Sequence, residues 1–146
     1  MSFALDPRLA ADTLAIGDMV LSRLLLMNDE RYPWLILVPR REALRELIDL
    51  DAAGRATLIE EIASVSAFVR VLPGVDKLNV AALGNIVAQL HVHVIGRSVS
   101  DFAWPDAVWG VGKARPYETG AAEALIVKAR AALIPSPVRG EGEARL

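Results

Sequence analysis

Gln89-Leu90-His91-Val92-His93-Val94-Ile95, continued by Gly96-Arg97, is the stretch on which the reading of this chain turns. Its alternation of polar and branched apolar residues predicts a β-strand over Gln89 to Ile95, closed by Gly96. Successive side chains of a strand point to opposite faces, so Gln89, His91, His93 and Ile95 share one side, and Leu90, Val92 and Val94 share the other. The Val side belongs to a core. The opposite side presents two imidazoles two residue rises apart on a rigid element, the construction a preorganised site needs. They are the only histidines in the chain.

A neutral imidazole is a fair nucleophile toward phosphorus and an acid–base group near pH 7, so one ring can attack while its neighbour protonates or orients. Phosphoryl or nucleotidyl transfer fits such a pair. Spacing alone leaves a plainer reading open, two histidines satisfying hydrogen bonds on an exposed sheet face. It also leaves a metal reading, since His at i and i+2 is half of a familiar site. The nearest carboxylates, Asp101 and Asp106, lie beyond Gly96 in a loop, and no metal is expected.

Outward from this strand the chain divides into short elements. Pro7 opens a short helix over 7–13, ending before a Gly17-Asp18 turn that leads into a strand from Met19 to Met27. That strand stops at Asn28-Asp29, and a turn containing Pro33 leads to WLILVPRR, a continuous apolar run ended by Pro39, so the two strands read as a hairpin. Asp51 caps a helix running to about Leu72, where Leu58, Ile62, Val65, Val69 and Leu72 form one apolar stripe and Pro73-Gly74 ends it. Lys77 to Leu83 is a further strand, joined through Gly84-Asn85 to the histidine strand. A Trp- and Pro-marked loop, FAWPDAVWG, precedes a C-terminal helix over about Glu118 to Ile134. One domain over 1–134 and a frayed tail over 135–146 are expected.

The bulk numbers bound the possibilities. With 146 residues, 53% of them hydrophobic, the chain can bury roughly 70% of its unfolded surface as one domain. Sixteen Lys+Arg against eighteen Asp+Glu give a net charge of −2, which provides no broad attraction for nucleic acid; any anion bound must be small and held locally. The absence of cysteine excludes disulfides, thiol nucleophiles and thiolate zinc sites. Asp6 and Pro7 break the start that a secretion signal needs, and no apolar run reaches the ~18 residues of a membrane span. A cytoplasmic, soluble protein with no membrane partner is expected.

At QLHVHVI the sequence resembles the histidine triad family, whose signature is H-x-H-x-H-x-x with apolar x. The order of strands, helix, Asn79 strand, motif strand and tryptophan-bearing segment extends the likeness over about residues 15 to 110. The resemblance implies an α+β fold: an antiparallel, about five-stranded sheet, the long helix across one face, and the C-terminal helix against its edge or a partner. It also implies a homodimer joined sheet edge to edge. The implied activity is hydrolysis or nucleotidyl transfer on a nucleotide, a phosphoramidate, adenylate or dinucleoside polyphosphate, without a cofactor. His91 takes the place of the nucleophile that forms a phosphohistidine, and His93 that of the ring bonding the phosphate and leaving group. Asn28 lies where relatives meet the ribose and Asn79 where they flank the α-phosphate. Gly84 and Asn85 form a turn first and backbone donors to phosphate second. A non-catalytic nucleotide-binding homodimer with a degenerate triad is the alternative.

Three positions depart from the family pattern. Gln89 stands first in the triad and cannot shuttle a proton near neutral pH, although its backbone carbonyl can still align the His91 ring. Trp34 stands about where many relatives place another histidine, and Ile86 where some carry a small hydroxyl residue; each change removes a polar group. Arg40 and Arg41, at a strand exit, read as solvated, and Trp104 and Trp109 as packing residues that could also close over a base.

Overall fold

A computed structural model describes residues 2–136. Five strands form one antiparallel sheet in the order β1-β2-β3-β5-β4: β1 Thr13–Asp18, β2 Ser22–Met27, β3 Trp34–Pro39, β4 Lys77–Ala82 and β5 Val92–Arg97. Three α-helices, α1 Pro7–Asp12, α2 Ala52–Arg70 and α3 Ala121–Leu133, and a short 3-10 turn at Leu47–Asp49 accompany them among the described residues. The α+β architecture expected from the sequence is the observed one. Of the expected tail, residues 137–146 lie outside the described residues.

Helix α2 forms where its apolar stripe places it. Asp51 accepts a hydrogen bond from the Gly54 N–H at 2.7 Å as the N-cap, a contribution of about 1 kcal/mol. Leu58, Val65 and Val69 are buried, with Ile62 and Leu72 beside them. Val65 and Val69 meet Leu24, Leu26, Leu35, Leu37 and Val94 of the sheet, and Ile126 and Ala129 of α3 close the same core over the β1 edge.

The first hairpin departs from the sequence reading. Thr13–Asp18 is a strand, and β2 starts at Ser22 rather than Met19. Gly17 sits not in a turn but beside a β-bulge, where the register shifts between Ala15 and Gly17; the extra residue breaks the two-residue alternation by which a strand is recognised. The turn itself is secured from afar. Glu61 of α2, itself buried, accepts the N–H groups of Leu21 and Ser22 at 2.9 and 3.0 Å, and Arg40 donates to the carbonyls of Met19 and Val20. Arg40 is therefore a clasp on this turn rather than a solvated cation.

Gly96 is also not a stop, because β5 runs through it to Arg97. A Cβ at Gly96 would come within 2.7 Å of Pro33 Cγ and 2.8 Å of Val75 Cγ2, so glycine there permits close packing. At its other end β5 begins at Val92, and Gln89 to His91 form an irregular lead-in anchored by Leu90 N–H to the Leu44 carbonyl at 2.9 Å.

The histidine-bearing face of the sheet is covered as well. Phe3, Leu5 and Leu9 from the N-terminal segment, with Ala103, Val108, Trp109 and Val111 from the loop after β5, pack over Leu25, Trp34, Ile36 and Ile95. The open polar face read from the sequence is thus closed by two irregular segments that carry no periodic signal. Among the described residues no helix is long and apolar enough to cross a membrane.

Candidate active site

The alternation of β5 survives its irregular start, and His91 and His93 lie side by side with ring centroids 4.9 Å apart. Both are nearly buried, at 5% and 4% exposure. Their neighbours set their protonation differently. His91 Nδ1 lies 2.7 Å from the backbone carbonyl of Gln89; a carbonyl only accepts, so Nδ1 carries the hydrogen and Nε2 holds the lone pair. His93 Nδ1 lies 2.9 Å from Trp34 Nε1; an indole N–H only donates, so Nδ1 is the acceptor and Nε2 carries the hydrogen. One ring therefore offers a base or nucleophile, and its neighbour a hydrogen-bond donor.

His93 is held neutral. Burial, reinforced by the adjacent His91, pushes its pKa down to about 3, because a charged imidazolium would lose its hydration among aromatic rings. Trp34 and Trp109 form that surround, with ring centroids 5.6 and 5.1 Å from His93. The sequence reading treats Trp34 as the loss of a polar group. Instead it supplies a donor, placed by a register that sets Ile36 opposite His93 and Trp34 opposite Ile95.

His91 lines a cleft of about 920 Å³ with Gly84, Asn85 and Gln89 on one wall and residues 45–49 on the other. Gly84, Asn85, Gln89 and His91 are thus brought together, whereas Ile86 nearby is exposed. The Gln89 side chain does not join them chemically. Its Oε1 accepts from the Asp6 N–H at 2.8 Å and its Nε2 donates to the Ala4 carbonyl at 2.9 Å, so the amide ties the N-terminal segment beside the histidines. Arg8 adds a hydrogen bond to the Ile86 carbonyl.

Asn28 is elsewhere. Its Oδ1 accepts from the Tyr117 N–H at 2.9 Å, and it lines a separate hollow of about 410 Å³ with Asp29, Arg31, Trp34 and Trp109. Asn79 sits on β4 opposite Ile95, with its Oδ1 taken by Arg97 at 2.8 Å. Arg97 is itself buried and paired with Asp101 at 2.7 Å. That commits the Asp101 carboxylate to a guanidinium rather than to the histidines, and among the described residues no cluster of three or more potential metal ligands forms. Arg41 borders another hollow, of about 520 Å³, at the start of α2. Trp104 stacks on Arg97, while Trp109 is the loop tryptophan that reaches His93.

The sequence reading misses the Trp34–His93 bond, the Gln89 tie and the 45–49 wall. The first is visible only once strand register is known; the other two join residues far apart in the chain without a shared motif.

A family model described as HIT domain matches residues 8–99. The crystal structure of a histidine triad protein from Bradyrhizobium japonicum is 44% identical, with a TM-score of 0.88 over 91% of this chain and 99% of that one. A histidine triad protein from Sinorhizobium meliloti is 44% identical, with a TM-score of 0.87 over 90% and 97%. One from Marinobacter aquaeolei is 43% identical, with a TM-score of 0.88 over 91% and 97%. No match is found among curated proteins. A sheet of this order, a histidine pair at the start of its fourth strand in space and relatives matched over nearly their full length together show that the chain belongs to the histidine triad family.

Proposed function

We propose that this protein is a nucleotide hydrolase or nucleotidyl transferase in which His91 attacks the α-phosphate of a bound nucleotide. The observation that carries the reading is the hydrogen bond from His91 Nδ1 to the Gln89 carbonyl. It leaves Nε2 with a free electron pair on a ring at the wall of an open cleft. In the reaction that pair forms a P–N bond while the bond from phosphorus to the leaving group breaks, its electrons departing with that group. Positive charge on the His91 ring is stabilised through Nδ1–H by the carbonyl. Water then attacks phosphorus, the P–N electrons return to Nε2, and the nucleoside monophosphate leaves as a proton is released to solvent. His93 Nε2–H donates to a phosphate oxygen in the transition state. Gly84 and Asn85 border the same cleft and supply further polar contacts. The amide NH₂ groups of Asn79 and Asn28 would supply a flanking contact and a ribose contact, their Oδ1 atoms being engaged by Arg97 and Tyr117.

Quenched mass spectrometry tests this. A nucleotidyl adduct on His91, and loss of turnover by about 10³-fold or more in His91→Ala, are the expected results. Gln89→Ala, which keeps the backbone carbonyl, retains turnover within about tenfold, because the two hydrogen bonds it removes tie the N-terminal segment and touch no reacting atom. Absence of both adduct and turnover on anhydride and phosphoramidate nucleotides contradicts the reading. It then favours a nucleotide-binding protein without chemistry, a second reading supported by the commitment of the Gln89 amide to Ala4 and Asp6. In either case the working unit we propose is a homodimer paired through β4, an edge strand with Val80 half exposed, which would cover that open edge.

A further inference from the structure

The geometry points to a selectivity for leaving group: Trp34 makes this site a cleaver of nucleotides whose departing group leaves as a stable anion, and a poor catalyst for those whose departing group is a basic amine. The inference rests on the nucleophilic role of His91 proposed above.

The Trp34 indole N–H and a proton on His93 Nδ1 are two donors that cannot coexist. Trp34 Nε1–H occupies His93 Nδ1 at 2.9 Å. Protonating His93 would place a second hydrogen between the same two nitrogens, so the ring cannot become an imidazolium without breaking that bond. Neither partner has room to turn away. Trp34 is 5% exposed and His93 4%, and Trp109 stands edge-on to both, 6.0 and 5.1 Å away by centroid. Burial among these rings and the second imidazole act in the same direction, which is why His93 stays neutral throughout the physiological range. The indole, unlike an imidazole in its place, has no lone pair with which to accept a proton.

A neutral Nε2–H donates a hydrogen bond but does not give its proton away, because the resulting anionic ring would be far too basic. His93 thus stabilises charge without acting as a general acid. For an acyl or phosphoryl leaving group this suffices: the P–O bond breaks, its electron pair stays on oxygen, and a carboxylate or phosphate departs with no proton added. For a P–N substrate the electron pair would depart on nitrogen as a strongly basic amide anion unless a proton arrives as the bond breaks. Among the groups whose contacts place them beside His91, the Gln89 side chain is an amide held by Ala4 and Asp6, and His93 is locked. Gln89 and Trp34 thus both act against proton delivery from the two side chains flanking His91 in the motif, and a general acid missing from those positions forfeits about 10²–10⁴ in rate.

The test compares wild-type kcat/KM on adenosine 5′-aryl phosphates with phenols of graded acidity and on adenosine 5′-phosphoramidate. Adduct formation on His91 from the nitrophenyl ester is followed in parallel. Expected are a steep fall in rate as the phenol becomes less acidic, and a phosphoramidate rate at least 100-fold below that of the nitrophenyl ester. Trp34→Phe, which frees Nδ1, is expected to narrow that ratio by about tenfold, consistent with a regained general acid; should this variant fail to fold, the wild-type ratio and slope decide alone. A flat dependence on phenol acidity, or a ratio under 100-fold with the adduct present, overturns the selectivity while leaving the nucleophile in place. No adduct from the nitrophenyl ester overturns the nucleophilic reading itself.

Discussion

At His93 the acceptor nitrogen is filled by an indole, and the same contact that orients the ring sets its charge. That charge has a thermodynamic consequence. Folding lowers the His93 pKa from 6.5 to about 3, so between these values the unfolded chain binds a proton that the folded chain refuses. Stability from this group is complete above pH 6.5 and declines as pH falls toward 3, by about 1.4 kcal/mol per pH unit. Asp18, Asp29, Asp49 and Asp101 are held below their ordinary 3.8 by their hydrogen bonds and nearby arginines, so their contributions fade only in stronger acid. Urea unfolding at pH 6.5, 5.5 and 4.5 is therefore expected to show a falling free energy, with a slope smaller by about one proton in His93→Asn. An unchanged slope in that variant would contradict a neutral, buried His93.

At the level of elements, legibility followed periodicity. Helix α2 was readable because Leu58, Val65 and Val69 recur along one stripe, and the shared face of His91 and His93 was readable because alternation fixes it. β1 was not readable, because the bulge at Ala15–Gly17 interrupts that alternation and the following turn has no turn sequence of its own. Its Leu21 and Ser22 N–H groups are satisfied by Glu61, 40 and 39 residues away. Glu61→Ala is expected to leave the Leu21 and Ser22 N–H groups buried and unpaired, lowering stability by about 3 kcal/mol. Glu61→Gln, which keeps one acceptor oxygen, is expected to lose less than the alanine variant. Equal stability of Glu61→Ala and wild type by chemical denaturation would refute this account of the hairpin. The Trp34–His93 pair needed both strand identity and register, two steps that a single sequence supplies only through the whole sheet.

For the whole molecule, the sheet has two edges of unequal character. α3 packs over the β1 side, whereas β4 has half-buried and exposed positions but no buried one, with Val80 among the exposed. A dimer through β4 is expected to give a light-scattering mass twice that of one chain, and Val80→Lys to shift the protein toward the monomer; a wild-type protein that stays monomeric at high concentration would remove the edge-pairing proposal. The arrangement of the three tryptophans follows a similar division. Trp34 and Trp109 press against His93, while Trp104 rests on Arg97 at the far end of the strand. The chain thereby carries its own optical reporter: emission from two of its three indoles should respond to a guest arriving beside the imidazoles, or to a charge forced onto them by acid, with no dye attached.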